Sequence, residues 1–415
     1  MNRRRLLAVA GGVVLALVLA GAGWYLHVRL AGRDVRGSST VEFVPTPPPE
    51  STPPGIAWPE YGRDDARLHV ADGTSLAPPF RVLWTFHARS LVEFPPAVAY
   101  GRLFFANNAG VLYAISAKTG KRAWRYDAKR CQAMSPAVGF NTVYATFLNA
   151  PPCNARGTPR GEVVALWAGS GKVRWRRAIA ASESSPLLRG NTVYVGDWNG
   201  DVTAFSAKTG RRRWLFHAGG SVKGALAYAA GRVYFGAYDS HVYALDAATG
   251  KLLWKAASQP RFGHSGTFYA TPAVAYDRVY IGSTDGKLYS FGATSGKLRW
   301  SHSTGGYVYA SAAVWRRRVY VGSYDGSFYC FDAATGDVVW TFHADGPISG
   351  SATVLAGRVY FSTLSGRTYG LDALSGKQVW SFPDGKYSPV VADTHRVYLV
   401  GYTKVYGLAQ RRPVP

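Results

Sequence analysis

The 415-residue chain is 47% hydrophobic and only 17% charged, which excludes a disordered polymer and supplies apolar side chains for a large core. Its 48 lysines and arginines against 24 acids leave a formal charge of +24, a field that attracts polyanions. Because the basic residues are scattered along the chain and do not form one block, they read as a solvated surface and not as a nucleic-acid site.

At the N-terminus, Arg3, Arg4 and Arg5 precede an uncharged apolar run from Leu6 to Leu26. As a helix this run would reach roughly 31 Å, one bilayer core. The arginines hold the N-terminus in the cytoplasm and send the rest outside, and Trp24 and Tyr25 stand where interfacial aromatics belong. Two other readings stay open: a signal peptide cut near Ala20-Gly-Ala22, and a twin-arginine leader beginning Arg3-Arg4-Arg5-Leu6-Leu7. All three export the chain and remove nucleic acid as a partner. No cysteine precedes Cys131, so a lipoprotein anchor is excluded. Residues 1–30 are therefore expected to be a single-pass transmembrane helix of the cell membrane, with the bulk of the chain extracytoplasmic.

Residues 31–58 are rich in Gly, Ser, Thr and Pro, including Pro45, Pro47, Pro48, Pro49, Pro53 and Pro54, and are expected to run as an extended stalk. Residues 59–79 hold a few apolar side chains and are expected to lie against the domain surface as a lead-in.

From residue 80 to 410 one phrase returns about every 40 residues, marked by Trp84, Trp124, Trp175, Trp214, Trp254, Trp300, Trp340 and Trp380. Thr271-Pro-Ala-Val-Ala-Tyr-Asp-Arg-Val-Tyr-Ile-Gly-Ser-Thr-Asp-Gly-Lys-Leu-Tyr-Ser290, closing with Gly296-Lys-Leu-Arg-Trp300, is its cleanest copy. Each copy predicts four strands: an inner one, an alternating Arg-Val-Tyr-Val-Gly strand, a third after an Asp-Gly or Asn-Gly turn, and a tryptophan strand. Such a unit cannot bury both faces alone, so copies pack side by side and close radially. The inner strand occurs eight times, at Ala97, Ala137, Leu187, Leu226, Ala273, Ala313, Thr353 and Val390, but only seven are followed by their own tryptophan strand. Arg81–Phe86 supplies the eighth. The fold class is all-β, an eight-bladed β-propeller closed by its two ends.

Cys131 and Cys153 bracket an irregular stretch and could close a loop in an oxidising compartment, stabilising by roughly 3 kcal/mol; Cys330 lies in an apolar strand and reads as inert core.

The phrase Ala-x-[Thr/Ser]-Gly-x-x-x-Trp, as in Ala117-Lys-Thr-Gly-Lys-Arg-Ala-Trp124 and Ala373-Leu-Ser-Gly-Lys-Gln-Val-Trp380, occurs in seven copies. It resembles the tryptophan-docking motif of pyrroloquinoline-quinone (PQQ)-type propeller repeats, over about four-fifths of the chain. The resemblance implies that the eight tryptophans wedge between neighbouring blades. It implies one of two functional types: quinoprotein dehydrogenases that bind the quinone with calcium over the channel, or cofactor-free scaffolds such as the β-barrel assembly lipoprotein of bacterial outer membranes. The adjacent-cysteine pair that many of the enzymes carry is absent, and so are their long insertions. Asp197-Trp-Asn-Gly-Asp201 coincides with a blade hairpin and reads as a turn, not as a calcium loop.

Departures from the repeat point to use. The positions before each inner strand ring the channel mouth and include Glu93, Glu183, Lys223, Tyr269, Tyr309, Lys386 and Tyr387. Converging polar groups and aromatic walls are a ligand-site pattern; mutual charge pairing that plugs the channel is the other reading. Two insertions, Thr146–Arg160 and Gln259–Gly266, break the period, the second carrying Arg261 and His264. No catalytic or metal-ligating pattern stands out. The expected function is a membrane-tethered extracytoplasmic binding scaffold or sensor without cofactor, whose partner is another envelope protein or an anionic envelope polymer. The alternative is a small quinoprotein dehydrogenase binding PQQ and calcium at the mouth.

Overall fold

The computed structural model describes residues 13–14, 16–23, 32–46, 56–151, 153, 160–260 and 265–411. Eight antiparallel sheets form a closed ring. In blade 5, Ala273–Ala275 lies nearest the axis, followed outward by Arg278–Gly282, Lys287–Gly292 and Leu298–Ser303 at the rim. The middle strands are buried on both faces because each blade is sandwiched between two others. Rim strands such as Arg212–His217 are mostly exposed. Between the middle strands of blade 5, Gly286 takes a φ of +84°, a conformation that costs any side chain strain. Blade 8 is assembled from both ends of the domain, Phe80–His87 pairing antiparallel with Lys404–Gln410.

The repeated phrase is explained at the blade junctions. Trp124 Nε1 donates to the Ala168 carbonyl of the next blade at 2.9 Å, and Trp84, Trp175, Trp214, Trp254, Trp300 and Trp340 make the same bond to Ala117, Ala207, Ala247, Ala293, Ala333 and Ala373. The turn glycine lies flat against the preceding blade's indole: a Cβ on Gly171, whose φ is +72°, would stand 2.7 Å from Trp124. Trp380 has no such bond among the described residues, because the third and fourth strands of blade 8 come from opposite chain ends and no turn joins them. It packs edge-on against Phe80 instead, ring centroids 5.4 Å apart.

Two segments expected at the periphery are built into the ring. The lead-in does not lie on the outer surface; it runs around the axis at the end of the channel away from the mouth. Just before it, Ile56–Trp58, the end of the expected stalk, pairs with the inner strand of blade 1. The carbonyls of Pro59, Asp65, Ala66, Leu68 and His69 then accept from Val138, Tyr228, Val274, Val314 and Val354 of blades 2, 4, 5, 6 and 7. At blade 3 the Glu60 carboxylate accepts from Leu188 N at 2.8 Å, and Val70–Ala71 adds a parallel strand to blade 7. The inner strands would otherwise leave those N–H groups unpaired at the axis, which is why this segment is drawn inside.

Residues 32–46, expected as the start of a free stalk, lie against the rims of blades 5 and 6. Val35 bridges Ser301 on the rim strand of blade 5. Asp34 accepts from Lys287 Nζ at 3.0 Å and Ser303 N at 3.0 Å, Arg36 pairs with Asp337 at 2.7 Å, and Glu42 binds Arg299 and Ser295. The carbonyls of Ser38, Val41 and Glu42 cap the Arg278 guanidinium, which is therefore fully buried. The proline-rich composition concealed these charged partners.

The expected transmembrane segment lies largely outside the described residues. Residues 13–14 and 16–23 within it are helical, and no helix among the described residues is long and apolar enough to cross a membrane. Arg261 and His264 also lie outside the described residues.

Candidate functional site

Five of the eight loops that cross from a rim strand to the next inner strand are pinned by a buried apolar residue, and the following residue projects toward the axis; Gln132, Ser182 and Gly385 hold the pinning position in the other three. Val222, Val308 and Ile348 are fully buried or nearly so, and their N–H groups donate to the Asp197, Ser283 and Ser323 carbonyls of the hairpin turns. Lys223, Tyr309 and Ser349 come next in sequence and face the channel. Val92 and Phe268, likewise buried, precede Glu93 and Tyr269 in the same way.

Six of the seven anticipated residues, Glu93, Glu183, Lys223, Tyr269, Tyr309 and Tyr387, line one narrow cavity of about 70 Å³ at the mouth. Lys386 does not line it; its ammonium lies over the rings of Tyr387 and Tyr402, at 5.5 and 4.9 Å. Lys223 pairs with Glu183 at 3.2 Å and stands over the faces of Trp198 and Tyr238, at 4.7 and 4.9 Å. Trp198 Nε1 donates to the same carboxylate at 3.0 Å. Among the described residues Glu93 has no cation partner. Burial, and then the charge of Glu183, push its carboxyl up to about 7. Tyr269 is pushed well up by burial and by both carboxylates, so it stays a hydroxyl donor.

The sequence did not point to the floor or to half of the wall. Tyr61 of the lead-in closes the cavity from below, donating to Ser311 Oγ at 3.1 Å, touching Ser351, and meeting Phe94 edge-on at 5.9 Å. Behind it Arg67 is buried, ion-paired with Glu60 at 3.5 Å and bonded to the carbonyls of Leu226, Tyr61 and Pro186. Around the mouth, Tyr307, Tyr309 and Tyr324 form a cluster with centroids 5.1–6.2 Å apart, continued by Tyr269 and Tyr238. Trp198, Tyr238, Tyr324 and Tyr402 occupy one repeat column, the second residue of the hairpin turn. That column carries an aromatic in half of its copies and was the available signal.

Cys131 and Cys153 are disulfide-bonded, Cα atoms 5.5 Å apart. Cys330 is buried, its thiol pushed up to about 12 by desolvation. Asp197 Oδ1 accepts from Asn199 N and Asp201 N, closing a hairpin turn.

The family model described as outer membrane protein assembly factor BamB matches residues 76–187, 159–316 and 304–410. The chain belongs to this family of PQQ-like propellers. Among curated proteins it is similar to the BamB of Bordetella pertussis, 27% identical over 208 residues covering 47% of this chain and 50% of that one. It is also similar to the tetrathionate hydrolase of Acidithiobacillus ferrooxidans, 27% identical over 197 residues covering 43% and 39%. With the quinohemoprotein alcohol dehydrogenase of Comamonas testosteroni it shares 26% identity over 222 residues, 49% and 26% of the two chains. The matched regions thus span half or less of these relatives. Among solved structures, a europium-containing methanol dehydrogenase superposes with a TM-score of 0.72 at 14% identity, over 86% of this chain and 98% of that one. BamB from Moraxella catarrhalis superposes with a TM-score of 0.64 at 19% identity, over 80% and 100%. At such identities the likeness is one of fold.

A calcium-bound quinone can be tested against the mouth of this BamB-family propeller. Calcium takes six to eight oxygen ligands, and no group of three or more His, Cys, Asp or Glu among the described residues is placed to hold a metal ion. Glu183 already serves Lys223 and Trp198. The cavity of about 70 Å³ is well below the 300–1,000 Å³ of ordinary small-ligand pockets. The residues present do not fit the group.

Proposed function

We propose that this propeller is an extracytoplasmic binding scaffold, tethered to the cell membrane by its N-terminal segment, that grips a segment of another envelope protein at the tyrosine-rimmed mouth. The observation that carries the reading is the rim itself: Tyr307 and Tyr402 are 52% and 51% exposed beside a cavity too narrow for a cofactor. Tyrosines supply rigid, amphipathic area at little entropic cost and are frequent hot spots of protein interfaces. The BamB relatives, named as assembly factors of outer membrane proteins, support a protein partner by kinship.

The tether reaches the domain beside the mouth. Gly32 and Asp34 meet Lys287 and Ser303, at the mouth-side ends of their strands. The nine Cα–Cα steps from residue 23 to residue 32 can span at most about 32 Å. A partner in or at the same membrane therefore suits the mouth best.

The test is photo-crosslinking from Tyr307 and Tyr402 in the full chain in its host. A discrete envelope protein captured from these positions, and not from the far-side Tyr100, is the expected result. Substrate-dependent dye reduction by the full chain after loading with PQQ and calcium would replace the scaffold reading by the dehydrogenase one.

A further inference from the structure

Residues 32–44 show what the outside of a blade accepts. Their backbone touches the free edge of a rim strand through Val35 and Ser301, and their acids, Asp34 and Glu42, take the blade's cations, Lys287 and Arg299. Rim strands end their sheets, so one edge of each is unpaired. On blade 5 that edge is occupied from within the chain.

Blades 1–3 present the same edge with more charge and no occupant among the described residues. Their rim strands, Arg122–Asp127, Val173–Ala180 and Arg212–His217, bring Arg122, Arg125, Arg176 and Arg212 to the exposed surface, with Arg211 in the preceding turn. Arg174 and Arg213 stand directly before the blade tryptophan, the place that Arg299 holds in blade 5. None of these arginines has a carboxylate partner among the described residues, because the nearby acids are taken: Asp127 by Lys129, Glu162 by Arg130 and Asp201 by His217. Between the rims of blades 2 and 3 runs a groove that includes Ile179, Phe205 and Leu215, three arginines (Arg177, Arg211 and Arg212) and two acids, Asp197 and Asp201, of which the second is taken by His217 and the first is engaged by backbone N–H groups. Leu215 and Val173 are 45% and 39% exposed, so the surface offers apolar contacts between its charges.

We propose that the rims of blades 1–3 are a second docking surface, separate from the mouth, for an extended acidic segment of a partner protein that adds to a rim-strand edge as residues 32–44 add to blade 5. Main-chain pairing on the edge would supply register, alternate carboxylates would meet the guanidiniums, and intervening apolar side chains would enter the groove. A simple polyanion would use the charges alone and leave Ile179, Leu215 and the strand edge uncontacted.

The experiment uses the full chain in detergent micelles and a fluorescent peptide of six alternating Glu-Val pairs, read by anisotropy. The expected result is saturable binding that weakens at least tenfold in R122E/R176E/R212E and about threefold in the charge-neutral R122Q/R176Q/R212Q. The blade 4 control K251E/K255E, which also replaces exposed rim cations, should change it less than twofold, and Y307A/Y402A at the mouth should leave it unchanged. Loss of binding in the blade 4 control equal to that in the blade 1–3 variants would overturn the proposal in favour of a net-charge effect. So would tight binding of polyphosphate or phosphatidylglycerol vesicles by the same arginines with no binding of the peptide, which would make the surface one for polyanions.

Discussion

The two ends of the channel hold similar residues and treat them differently. At the closed end, Glu60, Arg67 and the carbonyls of Leu226, Tyr61 and Pro186 form a buried network of partners from the same chain, in which burial raises the Glu60 carboxyl well above its usual range despite the Arg67 charge. At the mouth, Glu183 and Lys223 are paired, but Glu93 has no cation partner among the described residues and feels the like charge of Glu183, and Tyr307 and Tyr402 lie open. At the closed end Glu60 and Arg67 are partnered within the chain, although the buried ring of His69 beside them has no hydrogen-bond partner among the described residues; at the mouth the exposed rim leaves side chains open to a partner. Arg67→Ala should break the first half of this contrast with the largest effect. Removing one member of a buried, multiply bonded ion pair costs about 3–5 kcal/mol, and here it also unpins the lead-in from blades 3 and 4. Urea unfolding should show the loss, with the carbonyls left unpaired making Arg67→Met nearly as damaging.

Glu93→Gln should move stability the other way. In the unfolded chain a glutamate titrates near 4.3, whereas in the mouth burial and Glu183 raise Glu93 to about 7. The folded state therefore disfavours the charged form. The penalty is absent below the unfolded pKa, grows as pH rises, and is complete above about 7. Glutamine removes it, so the variant should be more stable than the parent by up to about 3 kcal/mol at pH 8.5 and no different at pH 4. Equal stabilisation at both pH values would mean that Glu93 is not held neutral by its surroundings, and the contrast between the two channel ends would weaken.

The ring was legible in the sequence because its physics is local and repeated. A Thr-Gly or Ser-Gly turn needs a positive φ and a flat neighbour, so pairs like Gly171 and Trp124 recur in every copy that has the turn, and counting copies gives the blades. The mouth was legible by the same route in most copies: where a crossing loop carries a buried apolar anchor, such as Val222 or Val308, the next residue faces the axis, whereas Lys386, which follows Gly385, does not. What escaped has no period. Tyr61, Arg67 and the strap from Asp34 to Glu42 occur once each, and their partners, such as Ser311, Leu226 and Arg299, lie more than a hundred residues away. Proline-rich composition suggested a stalk, yet two carboxylates and one β-bridge bind residues 32–44 to the ring. Such contacts are set by tertiary geometry and leave no trace in local propensity.

The smallest effect on stability is expected at the outermost residues. Tyr307 and Tyr402 are half exposed and touch neighbours that have other contacts, Tyr309 and Tyr324 for the first and, for the second, the Lys386 ammonium, which also lies over Tyr387. Surface substitutions of this kind usually fall within about 0.5 kcal/mol, so Y307A/Y402A should unfold in urea almost as the parent does. Binding should respond differently, since truncating an aromatic hot spot typically costs 2 kcal/mol or more, about thirtyfold in affinity. Capture of the envelope partner through a photo-crosslinker placed at Tyr324, within the same cluster, should therefore fall steeply in the double variant while its unfolding midpoint stays put. A variant that lost stability and capture together would place these tyrosines with the structural end of the channel, and the open mouth would no longer be distinguished from the closed floor.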